Sequence, residues 1–206
     1  MDCLGYNFTN VKENLERKGY IVRVFDTKEL AADYLDKQIS ETTVGLGGSV
    51  TIRQMNLFAL LSKHNTVYCH DEKPKDMSVM ETRTAASRAD VYISSVNGIS
   101  EKGEIVNIDG TGNRVAAISY GPSKVYLVIG VNKIASSLDE TIYRARNIAA
   151  PLNAKRLNRQ TPCALKADRC YDCNSPERIC RELSVLWEKP SGAEYEIVFI
   201  KEELGY

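Results

Sequence analysis

Apolar positions along the chain come in short runs whose spacing alternates between a strand period and a helix period. Phe8, Val11 and Leu15 fall on one helical face, and Gly19 stands where a C-terminal cap belongs. Residues 20–25 then read as a strand. Thr27 caps a second helix with Leu30, Ala31, Tyr34 and Leu35 on one face. A strand ending at Val44 leads through a glycine loop into an amphipathic run with Ile52, Met55 and Ala59 on one side. Residues 66–69 predict a third strand, 77–88 a helix, and 90–96 a strand ending in Asn97-Gly98. Strand and helix in alternation predict an α/β fold: an open, Rossmann-like, mainly parallel sheet with helices on both faces.

Beyond residue 100 the pattern changes. Residues 104–108, a turn at 109–113 and residues 115–118 predict a hairpin. Residues 124–130 form a continuous apolar run, expected as a buried strand. Ser137 and Glu140 make a capping box for a helix carrying Ile142, Ala145 and Ala149, which Pro151 should stop. Residues 196–200 predict a last strand. No repeat or low-complexity tract interrupts the 206 residues, so one α/β domain over 1–206 is expected, with 161–181 a cysteine-rich segment inside it.

The stretch around which candidate chemistry gathers is the loop Val44-Gly-Leu-Gly-Gly-Ser-Val-Thr51. Glycine lets main chain approach a ligand, and a helix N-terminus offers free N–H groups to an anion. Thr51 and Gln54 have the spacing of a capping box, which places the helix start at Thr51 or just before it. Gly45, Gly47, Gly48, Ser49 and Thr51 are therefore candidate anion-binding residues. The loop lacks the lysine of a phosphate-binding P-loop and the spacing of a dinucleotide fingerprint, so a plain strand-to-helix turn competes with this reading. Ligands in open α/β sheets bind at the carboxyl ends of strands. That rule adds Asn97, Asp109, Gly110, Thr111 and Asn113, with Asp109 the candidate base against a simple turn-forming role. His64 and His70 flank the third strand and are expected at the surface. Glu81, Arg83 and Arg88 are expected on a solvated helix face, from which an arginine is able to bind a carboxylate.

Lys plus Arg equals Asp plus Glu at 27 each, which disfavours nucleic acid as a partner. Lys155, Arg156 and Arg159 form a local basic patch, expected to be solvated. No signal peptide is evident in residues 1–25 and no run reaches the length of a membrane helix, so a cytoplasmic protein with reduced thiols is expected. Four of the six cysteines, Cys163, Cys170, Cys173 and Cys180, follow the pattern C-x6-C-x2-C-x6-C. Such thiolates suit tetrahedral zinc or an iron–sulfur cluster, and the spacing does not choose between them; reduced, metal-free cysteines compete with both. Lys166, Arg169 and Arg178 stand near enough in sequence to offset thiolate charge.

Three stretches resemble the LUD-domain family, the lactate-utilisation proteins: the glycine loop at 44–51, residues 92–100 continuing through Gly103-Glu-Ile-Val-Asn-Ile-Asp-Gly-Thr-Gly-Asn-Arg114, and Thr161-Pro-Cys with Cys170-Tyr-Asp-Cys-Asn-Ser-Pro-Glu-Arg-Ile-Cys180. The resemblance covers nearly the whole chain and fits short members with a cysteine-rich tail. It implies a fold similar to the ribose-5-phosphate isomerase and CoA-transferase superfamily, whose members bind phosphorylated sugars or CoA esters at a loop placed like 45–49. It also implies service in an iron–sulfur system that oxidises lactate, with redox partner subunits. This chain lacks the long ferredoxin-like region of the larger subunit and is not expected to oxidise lactate unaided. The leading expectation is thus a homo-oligomeric protein of organic-acid utilisation that binds a small anionic metabolite. The rivals are a self-sufficient isomerase or CoA-transferase-like enzyme with Asp109 as base, and a non-enzymatic interaction or redox-sensing protein.

Overall fold

The computed structural model describes residues 8–206. Residues 1–7, part of the stretch searched for a signal peptide, lie outside the described residues. The central feature is a six-stranded, wholly parallel sheet. Its strands are β1 (Ile21–Phe25), β2 (Thr43–Leu46), β3 (Thr66–Cys69), β4 (Val91–Ser94), β7 (Lys124–Gly130) and β10 (Glu194–Ile200). They lie in the order β1-β10-β7-β4-β2-β3, so the last strand of the chain is inserted beside the first. The interior strands β7 and β10 are near-continuous apolar runs, as a strand covered on two sides must be.

Alternate residues of those strands feed two separate cores. Val125, Leu127 and Ile129 of β7, with Tyr195, Ile197 and Phe199 of β10, pack beneath α1 (Phe8–Arg17) through Phe8, Val11 and Leu15. Tyr126 and Val128, with Val198 and Ile200, face the other way. They meet α2 (Lys28–Gln38), α3 (Val50–Gln54) and α4 (Leu57–Leu61) through Ala31, Leu35, Ile52, Leu57 and Leu61. The expected helices on both faces are present. Within α2, Leu30 faces solvent, whereas Ala31, Ala32 and Leu35 are buried.

Three sequence expectations are corrected. The expected hairpin does not form. β6 (Ile105–Asp109) is a strand, but Asn113–Ser119 is a helix, α6. Asp109 Oδ1 accepts from the amides of Thr111 and Gly112, each at 3.0 Å, and Gly112 has φ +85°, which turns the chain into the helix. β6 pairs instead with β5 (Gly98–Ser100) and β9 (Glu182–Leu186), both antiparallel, and β8 (Ile134–Ala135) completes a second, four-stranded sheet. Second, Thr51 is not a cap. Ser49 caps α3 by accepting from Ile52 N at 3.4 Å, and the helix breaks at Asn56 (φ 52°) before α4, leaving Ala59 exposed. Third, Pro151 does not end its helix. α7 (Leu138–Arg144) runs through a π-helical turn, Ala145–Ala149, into α8 (Ala150–Arg156). Widening to π geometry accommodates a residue that has no N–H to give to the preceding turn. Among the described residues, no helix is long and apolar enough to cross a membrane.

Candidate functional site

A cleft of about 540 Å³ opens at the carboxyl ends of β2, β3, β4 and β7, roofed by the loop that follows β6 and by the segment preceding β9. This is where an open α/β sheet presents a ligand. Of the sequence-derived candidates, Gly48, Ser49, Thr51, Asn97, Asp109, Gly110, Thr111 and Asn113 line it. Gly45 and Gly47 do not. A Cβ on Gly45 would come within 2.1 Å of the carbonyl oxygen of Ala86, so this glycine serves the contact of β2 with α5 (Val79–Ser87). The Gly47 amide is spent on Ile93 O at 2.9 Å. Gly48 does face the cleft, where its missing Cβ leaves room for the His70 ring; an added Cβ would lie 2.8 Å from His70 Cε1.

The polar groups around the cleft are held from several elements at once. Arg114 of α6 donates to Ser95 O at 3.0 Å, Ile108 O at 2.8 Å, Asn97 Oδ1 at 3.0 Å and Asn107 Oδ1. Its Nε lies 3.7 Å from Asp109 Oδ2. Burial lowers the guanidinium pKa, and Asp109 opposes that shift. Asn97 Oδ1 also accepts from Ile108 N at 2.8 Å. Asn97 and Asp109 therefore join the exit of β4 to the end of β6, and the Asp109 carboxylate is taken up by its turn and by Arg114.

Lys133, in the 3₁₀ turn Val131–Lys133 after β7, reaches the cleft floor with 3 % of its surface exposed. Its Nζ donates to Thr51 Oγ1 at 2.9 Å and to Ser95 Oγ at 2.7 Å. Burial pushes its pKa well below the ordinary lysine value, reinforced by the positive charges of Arg144 and Arg114. His70, half-buried on the opposite wall, is also shifted down, first by burial and then by Arg83 and Arg156, against the pull of Asp71 and Asp109. The expectation of a surface His70 is corrected on this ground. His64 is structural, its Nε2 lying 3.1 Å from Ile39 O and 3.3 Å from Asp36.

The cleft is cationic although the chain as a whole has no net charge. Arg83, Arg114, Arg156, Arg159, Arg178 and Arg181 line it against Asp71, Asp109 and Glu177. Each acid is already engaged: Asp71 lies 4.0 Å from Arg53, Asp109 is bound as described, and Glu177 accepts from Gln160 N at 2.9 Å. The buried Nε atoms of Arg83 and Arg178 have no hydrogen-bond partner among the described residues. Arg83, Arg156 and Arg159 line the cleft, Arg83 and Arg156 half-buried and Arg159 exposed as expected of a solvated face.

The cysteine segment reaches the cleft by way of β9. Arg181 N donates to Asp109 O at 2.9 Å, which seats Pro176, Glu177, Arg178 and Ile179 in the wall. Cys163, Cys170, Cys173 and Cys180 are all free and half-exposed. Arg178 donates to Cys180 Sγ at 3.5 Å, Arg146 Nη2 lies 3.9 Å from Cys170 Sγ, and Thr161 Oγ1 is 3.3 Å from Cys163 Sγ. Lys166 and Arg169 instead stack on the Tyr171 ring. Among the described residues, no group of three or more His, Cys, Asp or Glu is close enough to hold a metal ion. In this arrangement the four sulfurs do not fit a metal centre, so no chemistry is routed through one.

Sequence reasoning did not single out Lys133, Arg114, Arg178 or Arg181 as site residues, and it placed His70 at the surface. The signal for Lys133 was its place, a lone lysine just past the carboxyl end of the most apolar strand. His70 follows β3 by the same rule.

In comparisons with known proteins, the chain is similar to the crystal structure of a DUF162 family protein from Deinococcus radiodurans, with TM-score 0.53, 13 % identity and coverage of 93 % of this chain and 94 % of that one. Ribose 5-phosphate isomerase from Plasmodium falciparum gives TM-score 0.32 at 19 % identity over 53 % of this chain and 52 % of that one. eIF2B beta from Chaetomium thermophilum gives TM-score 0.32 at 14 % identity over 64 % and 44 %. No curated protein matches the sequence. The sequence model of the LUD domain matches residues 8–200, from the first turn of α1 to the last residue of β10, and the chain belongs to the LUD-domain family.

Proposed function

We propose that this LUD-domain protein binds a small carboxylate or phosphate anion in the cleft and serves lactate or related organic-acid metabolism as a subunit of a redox system. The observation that carries the reading is the excess of cationic side chains: six arginines line the cleft against Asp71, Asp109 and Glu177, and the Nε atoms of Arg83 and Arg178 make no hydrogen bond among the described residues. An anion in the cleft would offset this excess of positive charge and accept from the arginine N–H groups that line the wall. The glycine loop contributes through Gly48 and Ser49 rather than through Gly45 and Gly47, and Thr51 is engaged by Lys133 and Leu204.

Thermal-shift measurements with lactate, sugar phosphates and CoA test it. A ligand at a hundred times its Kd stabilises the folded chain by about 2.7 kcal/mol. Gly48→Val drives a side chain into His70 and the cleft, so the shift disappears while the circular dichroism stays native. If no anion raises Tm, or if Gly48→Val leaves the shift intact, the reading fails.

A second reading, an enzyme acting on a phosphorylated sugar or acyl-CoA, is favoured by His70. A half-buried imidazole whose pKa is lowered is available as a neutral base, whereas the Asp109 carboxylate is committed to its turn. For the cysteine segment to serve as an iron–sulfur or zinc ligand set, its sulfurs would have to come closer together than they stand here. Metal analysis of protein purified without air decides it: stoichiometric iron with a visible absorption band supports the redox subunit, one zinc per chain supports a structural site, and neither metal leaves reduced thiols.

A further inference from the structure

The floor of the cleft holds a lysine whose hydrogen-bond inventory suits an amine better than an ammonium. Lys133 Nζ has two hydrogen-bond partners among the described residues, the hydroxyls of Thr51 and Ser95. Both hydroxyls are already committed as donors, Ser95 Oγ to Val128 O at 2.6 Å and Thr51 Oγ1 to Leu204 O at 3.3 Å. Each therefore turns a lone pair toward Nζ and must receive an N–H from it. A neutral amine has two N–H groups, which these acceptors satisfy, and a lone pair that no protein group takes. An ammonium would hold a third N–H in a buried place where, among the described residues, no carboxylate acts on it. The charged side chains that act on Lys133, Arg144 and Arg114, are both positive. A desolvated lysine next to cations is the arrangement that makes a nucleophilic amine.

Resting on the reading of an anion-binding cleft, we propose that Lys133 is a nucleophile that condenses reversibly with the carbonyl carbon of a small anion bearing an aldehyde or ketone. The Lys133 nitrogen lone pair forms the C–N bond as the carbonyl π electrons pass to oxygen, giving a carbinolamine. Loss of that oxygen as water, which carries away the two amine hydrogens, leaves the imine. No electron acceptor is consumed, and hydrolysis runs the same steps backwards. Arg83 and Arg178, on the cleft wall, supply the positive charge that holds the carboxylate or phosphate of the same molecule. The shared chemistry, an anionic group with a nearby carbonyl, covers both 2-oxo acids and open-chain sugar phosphates.

The test is reductive trapping with cyanoborohydride at neutral pH, followed by peptide mapping. Pyruvate, glyoxylate and ribose 5-phosphate are the probes, and lactate, which has no carbonyl, is the control. The expected result is an adduct on Lys133 that forms faster than on the exposed Lys73 and Lys155, with none from lactate. Trapping by the oxo acids alone or by the sugar phosphate alone identifies the source. Lys133→Arg keeps a cation but cannot form the imine, and should lose the adduct; native circular dichroism of the variant separates that loss from unfolding. Adducts confined to exposed lysines, or an adduct yield unchanged in Lys133→Arg, overturn the proposal. If lactate raises Tm but no carbonyl compound is trapped at Lys133, the nucleophile is wrong while the anion cleft survives. If neither occurs, both are wrong.

Discussion

Arg114 shows how a single side chain organises the cleft. Its guanidinium satisfies two main-chain carbonyls and two asparagine side chains drawn from the exit of β4 and from β6. Arg114→Met keeps the length but orphans those acceptors in a place where only 12 % of the arginine side chain is exposed. Breaking such a buried set costs about 3 kcal/mol, to be read from urea unfolding. A loss below about 0.5 kcal/mol, the scale of a surface change, would contradict the assigned role. His70 carries a pH prediction. Its folded pKa lies below the ordinary 6.5, so between those two values the unfolded chain holds a proton that the folded chain does not. Stability therefore rises with pH across that window and is lost as pH falls through it. His70→Gln should flatten this part of the profile, as measured by thermal unfolding from pH 7 to pH 5. Equal profiles would mean that burial does not hold the ring neutral. At this scale the sequence was informative about glycines and turn-forming acids, whose preferences are local. It was silent on Lys133 and put His70 at the surface, because the meaning of these two side chains comes from hydroxyls and a glycine distant in the chain.

Among the elements, β3 and β7 coincide with the sequence expectation residue for residue, because an apolar run between turn residues has few other uses. The helix of residues 113–119 was misread because Val115, Ala117 and Ile118 form too short an apolar run for period alone to separate strand from helix. The second sheet was invisible: β5 and β8 have three and two residues, and β9 is half-exposed and begins with Glu182. Such strands are made by their partners, not by propensity. At α3 the cap moved by two residues, and its test is direct. Ser49→Ala should cost about 1 kcal/mol of unfolding free energy. Gln54→Ala leaves the cap intact and instead frees the Gly205 amide that it binds at 2.8 Å, loosening the last residues beside the cleft. Hydrogen exchange at Gly205 reads the second effect, and unchanged exchange there would refute it.

For the molecule as a whole, two cores on opposite faces of one parallel sheet fix the strand ends, and the cleft inherits its geometry from them. Leu127, fully buried in the centre of β7, belongs to the core under α1 rather than to the cleft. Leu127→Ala should cost about 2–5 kcal/mol while leaving the chemistry of the cleft unchanged. The central claim concerns a cationic cleft in a chain of zero net charge, where the sign of the partner is set locally. Its most direct test is an amide NMR titration of the full chain with lactate, pyruvate and inorganic phosphate at low salt. The account predicts that shifts concentrate at Gly48, Ser49, Gly110, Thr111 and Arg178, around the cleft, saturate with one site, and weaken as salt rises. Shifts scattered over the exposed lysines, or none at the cleft amides, would contradict it.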